Sequence, residues 1–105
     1  MATKKELQEQ ENAEVVFIEG CVMHNIDNFG KTRINRLRSC QAEVYETYGF
    51  TVLKSYNTIV AAIDRFGYGY DFLRYVYGYT ATSAQHITKF FRDYGASTIY
   101  TWKAV

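Results

Sequence analysis

The pattern of apolar and polar residues predicts a small α+β domain, with an antiparallel sheet of four to six strands and one main C-terminal helix. Residues 1–13 are rich in glutamate and glutamine and nearly free of large apolar side chains except Leu7. Such a segment cannot offset the entropy cost of ordering by burial. We therefore predict a flexible or partly helical tail over residues 1–13. Residues 14–105 are predicted to form a single α+β domain, which begins with a short buried strand at Val15–Ile18.

From Gln41 onwards β-branched and aromatic residues dominate, and glycine or asparagine residues interrupt them at short intervals. This pattern is typical of consecutive strands joined by tight turns. The predicted strands are residues 43–48, 50–56, 58–64 and 71–79. Their short connections predict an antiparallel meander, in which each strand pairs with the next one along the chain.

A helix is predicted over residues 82–94, because its start, its apolar face and its end can all be recognised. Thr82 and Gln85 have the spacing of a capping box, in which each side chain bonds to the backbone amide of the other residue. Apolar residues then recur at helical intervals. Gly95 lies where a left-handed residue ends many helices. A final strand is predicted over residues 97–105.

The charge of the chain is almost balanced, with 12 Lys and Arg residues against 11 Asp and Glu residues among 105. A protein that depends on phosphate contacts normally has a visible basic excess. The charges are nevertheless unevenly distributed: residues 1–19 contain five glutamates and two lysines, whereas residues 31–38 contain four basic residues and no acid. We call this second group the basic run, and its members are Lys31, Arg33, Arg36 and Arg38.

Neither a membrane span nor a secretory leader is recognisable in the sequence. No apolar stretch approaches the ~20 residues needed to cross a bilayer, and the first residues lead into acidic and amide side chains. The chain has two cysteines, which without a leader are expected to be reduced thiols. These features together predict a cytoplasmic protein.

No catalytic or cofactor-binding motif is recognisable, so we predict a non-enzymatic protein without a cofactor. Asp64 and Asp71 bracket a glycine-rich loop and are interpreted as turn caps rather than as an acid–base pair. Four side chains have the chemistry of zinc ligands, namely Cys21, His24, Cys40 and His86. Zinc sites usually combine two close pairs, and only the first two of these residues form one. We predict no metal site, although the sequence leaves open whether the four residues meet in space.

The tyrosine content is the most distinctive feature, because ten tyrosines exceed what the core of a small domain needs. Five of them crowd into residues 68–79, where neighbouring strand residues alternate between faces, so some must point outwards. Exposed tyrosine offers a large rigid contact area with a polar tip, which suits a protein-binding or base-stacking surface. The predicted partner-binding residues are Tyr68, Tyr70, Asp71, Tyr75, Tyr77 and Tyr79.

Two segments carry a resemblance to a known family. They are residues 55–61, SYNTIVA, and residues 70–87, YDFLRYVYGYTATSAQHI. Through them, residues 29–94 resemble a small uncharacterised domain family found in phages, plasmids and chromosomes of Gram-positive bacteria. That family has no established enzymatic role, so the resemblance supplies a setting rather than a mechanism. It implies a mobile-element protein that acts in the cytoplasm of a bacterial host cell.

Small cofactor-free proteins of such elements often bind a host defence machine, and the anti-CRISPR proteins that block Cas9 are the best-known group. We therefore expect a non-catalytic inhibitor that binds a type II Cas9 or its guide-RNA complex through these tyrosines and occludes it. The alternative is direct nucleic-acid binding by the basic run and the same tyrosines, with a dimer formed through an open sheet edge. Only the alternative requires the basic run to adjoin exposed tyrosines.

Overall fold

The computed structural model describes residues 2–37 and 41–105. It has an α+β fold in which helices pack on a six-stranded, mostly antiparallel sheet, and this confirms the predicted fold class. The helices are α1 (Lys4–Phe29), α2 (Leu73–Val76) and α3 (Ala81–Asp93). The strands are β1 (Thr32–Arg36), β2 (Ala42–Thr47), β3 (Phe50–Ser55), β4 (Thr58–Asp64), β5 (Tyr68–Asp71) and β6 (Thr98–Thr101). Within these described ranges, no helix combines the length and the apolar character that a membrane span requires.

The strand predicted at Val15–Ile18 is wrong, because these residues form the middle of helix α1. The helix starts at a capping box: Thr3 Oγ1 accepts from the Glu6 amide at 3.1 Å, and Glu6 Oε1 accepts from the Thr3 amide at 3.2 Å. It ends at Gly30, whose φ of +76° favours glycine. The buried residues of α1 are Asn12, Val15, Ile18 and Val22. Their spacing of three and four residues is helical, and a run of four consecutive apolar residues conceals it.

Residues 4–13 belong to the same helix, which crosses the predicted boundary at residue 14 without interruption. Asn12, which is 8% exposed, connects this half of α1 to the segment after β6. Its Nδ2 donates to the Lys103 carbonyl at 2.5 Å, and its Oδ1 accepts from the Lys103 amide at 2.9 Å. Gln8 Nε2 donates to the Thr101 carbonyl at 3.1 Å. The N-terminal half of α1 is therefore held by the far end of the sequence.

The six strands lie in the sheet in their chain order, from β1 to β6. The first five strands form an antiparallel meander, which was predicted only from residue 43 onwards, and the strands expected over residues 43–48, 50–56 and 58–64 are each confirmed to within one residue. Strand β1 was not predicted, because the apolar pattern is interrupted over residues 25–39. The last predicted strand is confirmed as the shorter β6. Strand β6 pairs parallel with β5. Two parallel strands cannot be joined by a tight turn and need a crossover, and here the crossover contains α2 and α3.

The strand predicted over residues 71–79 is wrong, since β5 lies earlier and α2 follows it. Asp71 ends the strand because its Oδ1 accepts a hydrogen bond from the Leu73 amide at 3.0 Å. The chain then turns into α2, where the amides of Val76 and Tyr77 donate to the carbonyls of Phe72 and Leu73, each at 3.0 Å. Of the five tyrosines in this region, only Tyr68 and Tyr70 therefore lie on a strand.

The predicted C-terminal helix is confirmed as α3, shifted by one residue from the predicted range, but the longest helix of the described residues is α1 and not this one. Its cap is Thr80 rather than Thr82, because Thr80 Oγ1 accepts from the Ser83 amide at 3.2 Å. The predicted end at Gly95 is confirmed. This glycine has a φ of +73°, and the amide of the next residue donates to the Phe91 carbonyl at 2.9 Å.

Helices α1 and α3 cover opposite faces of the sheet. On β3, Val52 packs with the α1-side cluster and its neighbour Leu53 with the α3-side cluster, as strand alternation requires. Helix α3 approaches β5 closely, so that a Cβ atom added to Gly69 would lie 2.9 Å from Phe91 Cε1. The residues of β5 on either side of this glycine, Tyr68 and Tyr70, consequently face α1.

Candidate partner-binding surface

Tyr68 and Tyr70 of β5 meet Tyr100 of the neighbouring strand β6 on the α1 side of the sheet. The Tyr100 ring stacks on Tyr70 with centroids 5.5 Å apart and meets Tyr68 edge-on at 6.2 Å. Such ring pairs contribute about 0.5–1.5 kcal/mol each beyond their area of burial. Tyr70 is only 4% exposed, whereas Tyr68 is 40% exposed and Tyr100 is half-buried. The packed rings therefore present Tyr68 and Tyr100 to the solvent.

A groove of about 510 Å³ separates these rings from the N-terminal half of α1. We call it the tyrosine groove, and its lining residues are Leu7, Gln10, Glu11, Glu14, Tyr68, Tyr70 and Tyr100. On α1, positions 10 and 11 lie three and four residues after Leu7 and four and three residues before Glu14, so the four residues form one stripe along the helix. Glu11 Oε2 accepts a hydrogen bond from the Thr101 amide at 2.7 Å, whereas the Glu14 side chain is exposed.

The hydroxyl group of Tyr70 lies within the influence of two carboxylates, those of Asp64 and Glu14. This hydroxyl donates to Asp64 Oδ2 at 3.3 Å. Burial raises the pKa of Tyr70 well above its ordinary value, and the nearby charges of Asp64 and Glu14 raise it further. The phenol therefore stays neutral at physiological pH, and the charge of the tyrosine groove comes from its carboxylates.

The other predicted tyrosines lie in different surroundings near α2. The Tyr75 ring packs against Trp102 with centroids 5.7 Å apart. The Tyr79 ring lies 4.6 Å from the guanidinium carbon of Arg74, and Tyr77 is 64% exposed. The structure thus brings Tyr68 and Tyr70 together, but it does not place all five tyrosines on one face.

The basic run lies on and beside β1, and its last member, Arg38, is outside the described residues. Arg33 Nη1 lies 2.9 Å from Glu43 Oε2, and Arg36 Nε lies 3.6 Å from the same oxygen. The hydrogen bond from Arg33 is the main reason why the pKa of Glu43 is below its ordinary value. Lys31 Nζ lies 5.1 Å from the centroid of a tyrosine ring on β2. The charge of this run is therefore partly compensated within the protein.

Strand β1 forms one edge of the sheet, and strands β2, β3 and β4 separate it from β5. At a strand spacing of about 4.8 Å, β1 and β5 are roughly 19 Å apart. All five residues of β1 are exposed, and its pairing with β2 shifts register between Arg33 and Asn35. Charged side chains and register shifts are features that protect an edge strand from pairing with another copy. The described part of the basic run and the tyrosine groove are not adjacent.

Asp64 and Asp71 lie near opposite ends of β5, and the interpretation of both as turn caps is confirmed. Asp64 Oδ1 accepts from the Phe66 and Tyr68 amides at 2.9 and 3.0 Å. Asp71 accepts a hydrogen bond from the Leu73 amide. In the ladder between β4 and β5, the residue opposite Asp71 is Ala61 and not Asp64. The two carboxylates therefore do not face each other.

Asp71 provides a testable pH dependence of stability. Burial raises its pKa, although the Leu73 amide and the Arg74 charge act in the opposite direction. Folding therefore disfavours the ionised carboxylate at neutral pH, and this penalty disappears as the pH falls below the unfolded pKa of about 4. We expect Asp71→Asn to be more stable than the wild type at pH 7 in urea unfolding, by an amount that shrinks on acidification. Equal stability at pH 7, or a difference that grows on acidification, would contradict this expectation.

Three polar residues that are not linked by any sequence motif meet in the core. Ser55 Oγ lies 2.9 Å from Ser83 Oγ and 2.9 Å from His86 Nδ1. A serine beside a histidine has the elements of a nucleophile and its base, but none of the three residues is more than 5% exposed. A substrate cannot reach Ser55 through the closed core. The group instead joins β3 to α3 with satisfied hydrogen bonds.

The candidate zinc ligands lie on both sides of the sheet. Cys21 and His24 belong to α1, whereas His86 belongs to α3, which covers the opposite face. Cys40 is outside the described residues. Among residues 2–37 and 41–105, no three His, Cys, Asp or Glu side chains lie close enough together to hold a metal ion.

The comparison with protein families gives a match over residues 25–104, which include all six strands, α2, α3 and the end of α1. The matching model is described as a family of unknown function, DUF8033. The chain belongs to the DUF8033 family. Membership of a small uncharacterised family is thereby confirmed, whereas a phage or plasmid setting stays a prediction. No curated protein and no solved structure gives a significant match.

In this DUF8033 protein, the tyrosine groove joins the matched region to the part of α1 that precedes it. Tyr100 and Trp102 were not predicted as site residues, because the parallel pairing of β5 with β6 is not visible in local patterns. Glu11 and Glu14 were not predicted either. Their helical spacing with Leu7 was a usable signal, but it is recognisable only once residues 4–13 are known to be helical.

Proposed function

We propose that this protein is a non-catalytic inhibitor, which binds a host RNA-guided nuclease of the Cas9 type and occludes a surface that the nuclease needs. The observation that supports a binding role is the concentration of exposed and half-buried rings around β5, α2 and β6. We call these rings the aromatic surface, and they are Tyr68, Tyr75, Tyr77, Tyr100 and Trp102. Tyrosine and tryptophan are enriched among the residues that dominate binding energy at protein interfaces.

Occlusion suits a surface of this kind. Tyr68 packs on Tyr100, and Tyr75 packs on Trp102, so these rings lose little further conformational freedom when a partner covers them. The choice of a nuclease rests on the resemblance to a family of mobile elements. An RNA-guided nuclease must hold DNA and rearrange before it cuts, and a protein seated on either kind of surface stops cleavage without chemistry.

Direct nucleic-acid binding has less support from this arrangement. Single-strand binding combines stacking rings with a basic groove that follows the phosphates. Arg33 and Arg36 are paired with Glu43 and lie across the sheet from the aromatic surface. The carboxylates of the tyrosine groove would repel a phosphate backbone that approached Tyr68.

A cleavage assay with type II Cas9, guide RNA and linear target DNA tests the proposal. We expect a several-fold excess of the protein to suppress cleavage. The double variant Tyr75→Ala/Tyr77→Ala should need at least about 10-fold more protein for the same inhibition, because two anchoring rings are removed. The measured quantity is the half-inhibitory concentration, with circular dichroism to verify folding.

Tyr48→Ala is the matched control, because Tyr48 is 66% exposed in the turn between β2 and β3. It should inhibit as the wild type does. Undiminished cleavage by all close Cas9 subtypes in the presence of excess protein would refute the proposal. A salt-dependent gel shift with DNA or RNA alone would favour the alternative function instead.

A further inference from the structure

We infer that the tyrosine groove binds arginine side chains of an exposed, arginine-rich segment of a partner protein. This inference rests on the proposed function, because it names the chemistry of the partner surface that the protein covers. It depends on the juxtaposition of two kinds of group in one groove: tyrosine rings from β5 and β6, and glutamates from α1.

The rings of the groove offer faces for a cation. Elsewhere in the protein, Arg74 lies over Tyr79, and Lys31 and Lys54 lie over Tyr45. Within the described residues, no such cation lies over Tyr68 or Tyr100. A guanidinium group binds to a tyrosine face through the ring quadrupole and also stacks on it, which ammonium groups do less well. Other tyrosine rings of the protein already bind one of its own cations, whereas the ring faces in the groove are available to a cation from a partner.

The carboxylates of the groove complement the same ligand. None of the four ion pairs formed in the described part of the chain includes Glu11 or Glu14. Glu11 is oriented by the Thr101 amide, and Glu14 is exposed at the rim. A carboxylate beside an aromatic face provides both a charge-assisted hydrogen bond and a stacking surface for one guanidinium group. The groove volume of about 510 Å³ is large enough for arginine side chains and the adjoining backbone.

This chemistry also explains how binding would block a nuclease. Cas9-type enzymes hold the guide–target duplex in a positively charged channel. A protein surface that presents carboxylates beside rigid rings competes for basic side chains that otherwise contact phosphates. The same carboxylates disfavour nucleic acid as the occupant of the groove, since phosphate and carboxylate repel each other.

The inference is tested by titrating the full-length protein with an oligoarginine peptide and recording two-dimensional NMR spectra. We expect saturable shifts at residues of the groove, and weaker binding when NaCl is raised from about 0.05 M to about 0.3 M. Glu14→Gln and Tyr68→Ala should each weaken the affinity by about 3- to 10-fold. The matched control is Glu9→Gln, which removes an exposed glutamate of α1 outside the groove and should bind as the wild type does.

Absence of binding, or equal affinity of all three variants and the wild type, would overturn the inference. Binding of single-stranded DNA that is lost in Tyr68→Ala would also overturn it, because the occupant would then be nucleic acid. Failure of the proposed function is separable from these results. If the peptide binds but the protein does not affect Cas9, the proposed nuclease partner is wrong and the inference about the groove still holds. If the protein inhibits Cas9 and neither Glu14→Gln nor Tyr68→Ala changes this inhibition, the proposed function holds and the inference about the groove is wrong.

Discussion

Phe72→Ala is expected to lower the free energy of unfolding by about 3–5 kcal/mol, which is the usual cost of truncating a fully buried phenylalanine. Phe72 is 0% exposed in the α1-side cluster, and its amide donates to the Val60 carbonyl at 2.8 Å. Removing the ring leaves a cavity at the junction of β5 and α2. The free energy measured by urea unfolding should fall accordingly, with a decrease in melting temperature of more than about 10 °C.

Phe66→Ala is the control for this change, because the same atoms are removed from a side chain that is 75% exposed. Its stability should stay within about 0.5 kcal/mol of the wild type. If Phe72→Ala does not fold, Phe72→Leu should still fold and cost about 1–2 kcal/mol, because leucine fills most of the space. A Phe72→Ala protein as stable as Phe66→Ala would show that the α1-side core is not packed as described.

Asn12→Asp is expected to be the second most disruptive change, with a loss of about 2–4 kcal/mol at pH 7. The amide group of Asn12 pairs with both backbone groups of Lys103, whereas an aspartate has no donor for the carbonyl oxygen 2.5 Å away. In the variant, a carboxylate oxygen of residue 12 faces the carbonyl oxygen of Lys103, and two buried acceptors then repel each other. Urea unfolding at pH 7, compared with the wild type, measures the loss.

This loss should shrink on acidification, because a protonated aspartate can again donate to the Lys103 carbonyl. Asn57→Asp makes the same chemical change at an exposed position in the turn between β3 and β4. This control should alter the free energy of unfolding by no more than about 0.5 kcal/mol, both at pH 7 and after acidification. If Asn12→Asp behaves like Asn57→Asp, the contact between α1 and the segment after β6 does not contribute to stability.

The middle of the sheet was predictable because its local signals agree with one another. Strands β2, β3 and β4 combine β-branched residues with tight turns, and the continuous apolar run at residues 59–63 agrees with the consecutive buried residues 60–63 of β4. The end of α3 was predictable for the same reason, since Gly95 adopts the left-handed conformation that glycine permits. These elements owe their positions to interactions between near neighbours in the chain.

The remaining elements depend on contacts that local patterns do not reveal. Four consecutive apolar residues, 15–18, fit a buried strand, but Phe17 is 65% exposed on the outer side of a helix. The shift of β5 towards Tyr68 depends on the approach of α3 to Gly69 and on the cap at Asp71. The tyrosine groove was missed because one side comes from α1 and the other from β5 and β6, and no local periodicity links these segments.

The pairing of α1 with β6 and the segment after it has a kinetic consequence. The hydrogen bonds that connect them involve the side chains of Gln8, Glu11 and Asn12 and span 90 to 93 positions of the sequence. Contacts between such distant residues require the largest loop closures and tend to slow folding. The hairpins formed by β2, β3 and β4 can assemble first, so the tyrosine groove is expected to be one of the last features to form. During refolding, binding competence would therefore appear later than the bulk of the β-sheet signal.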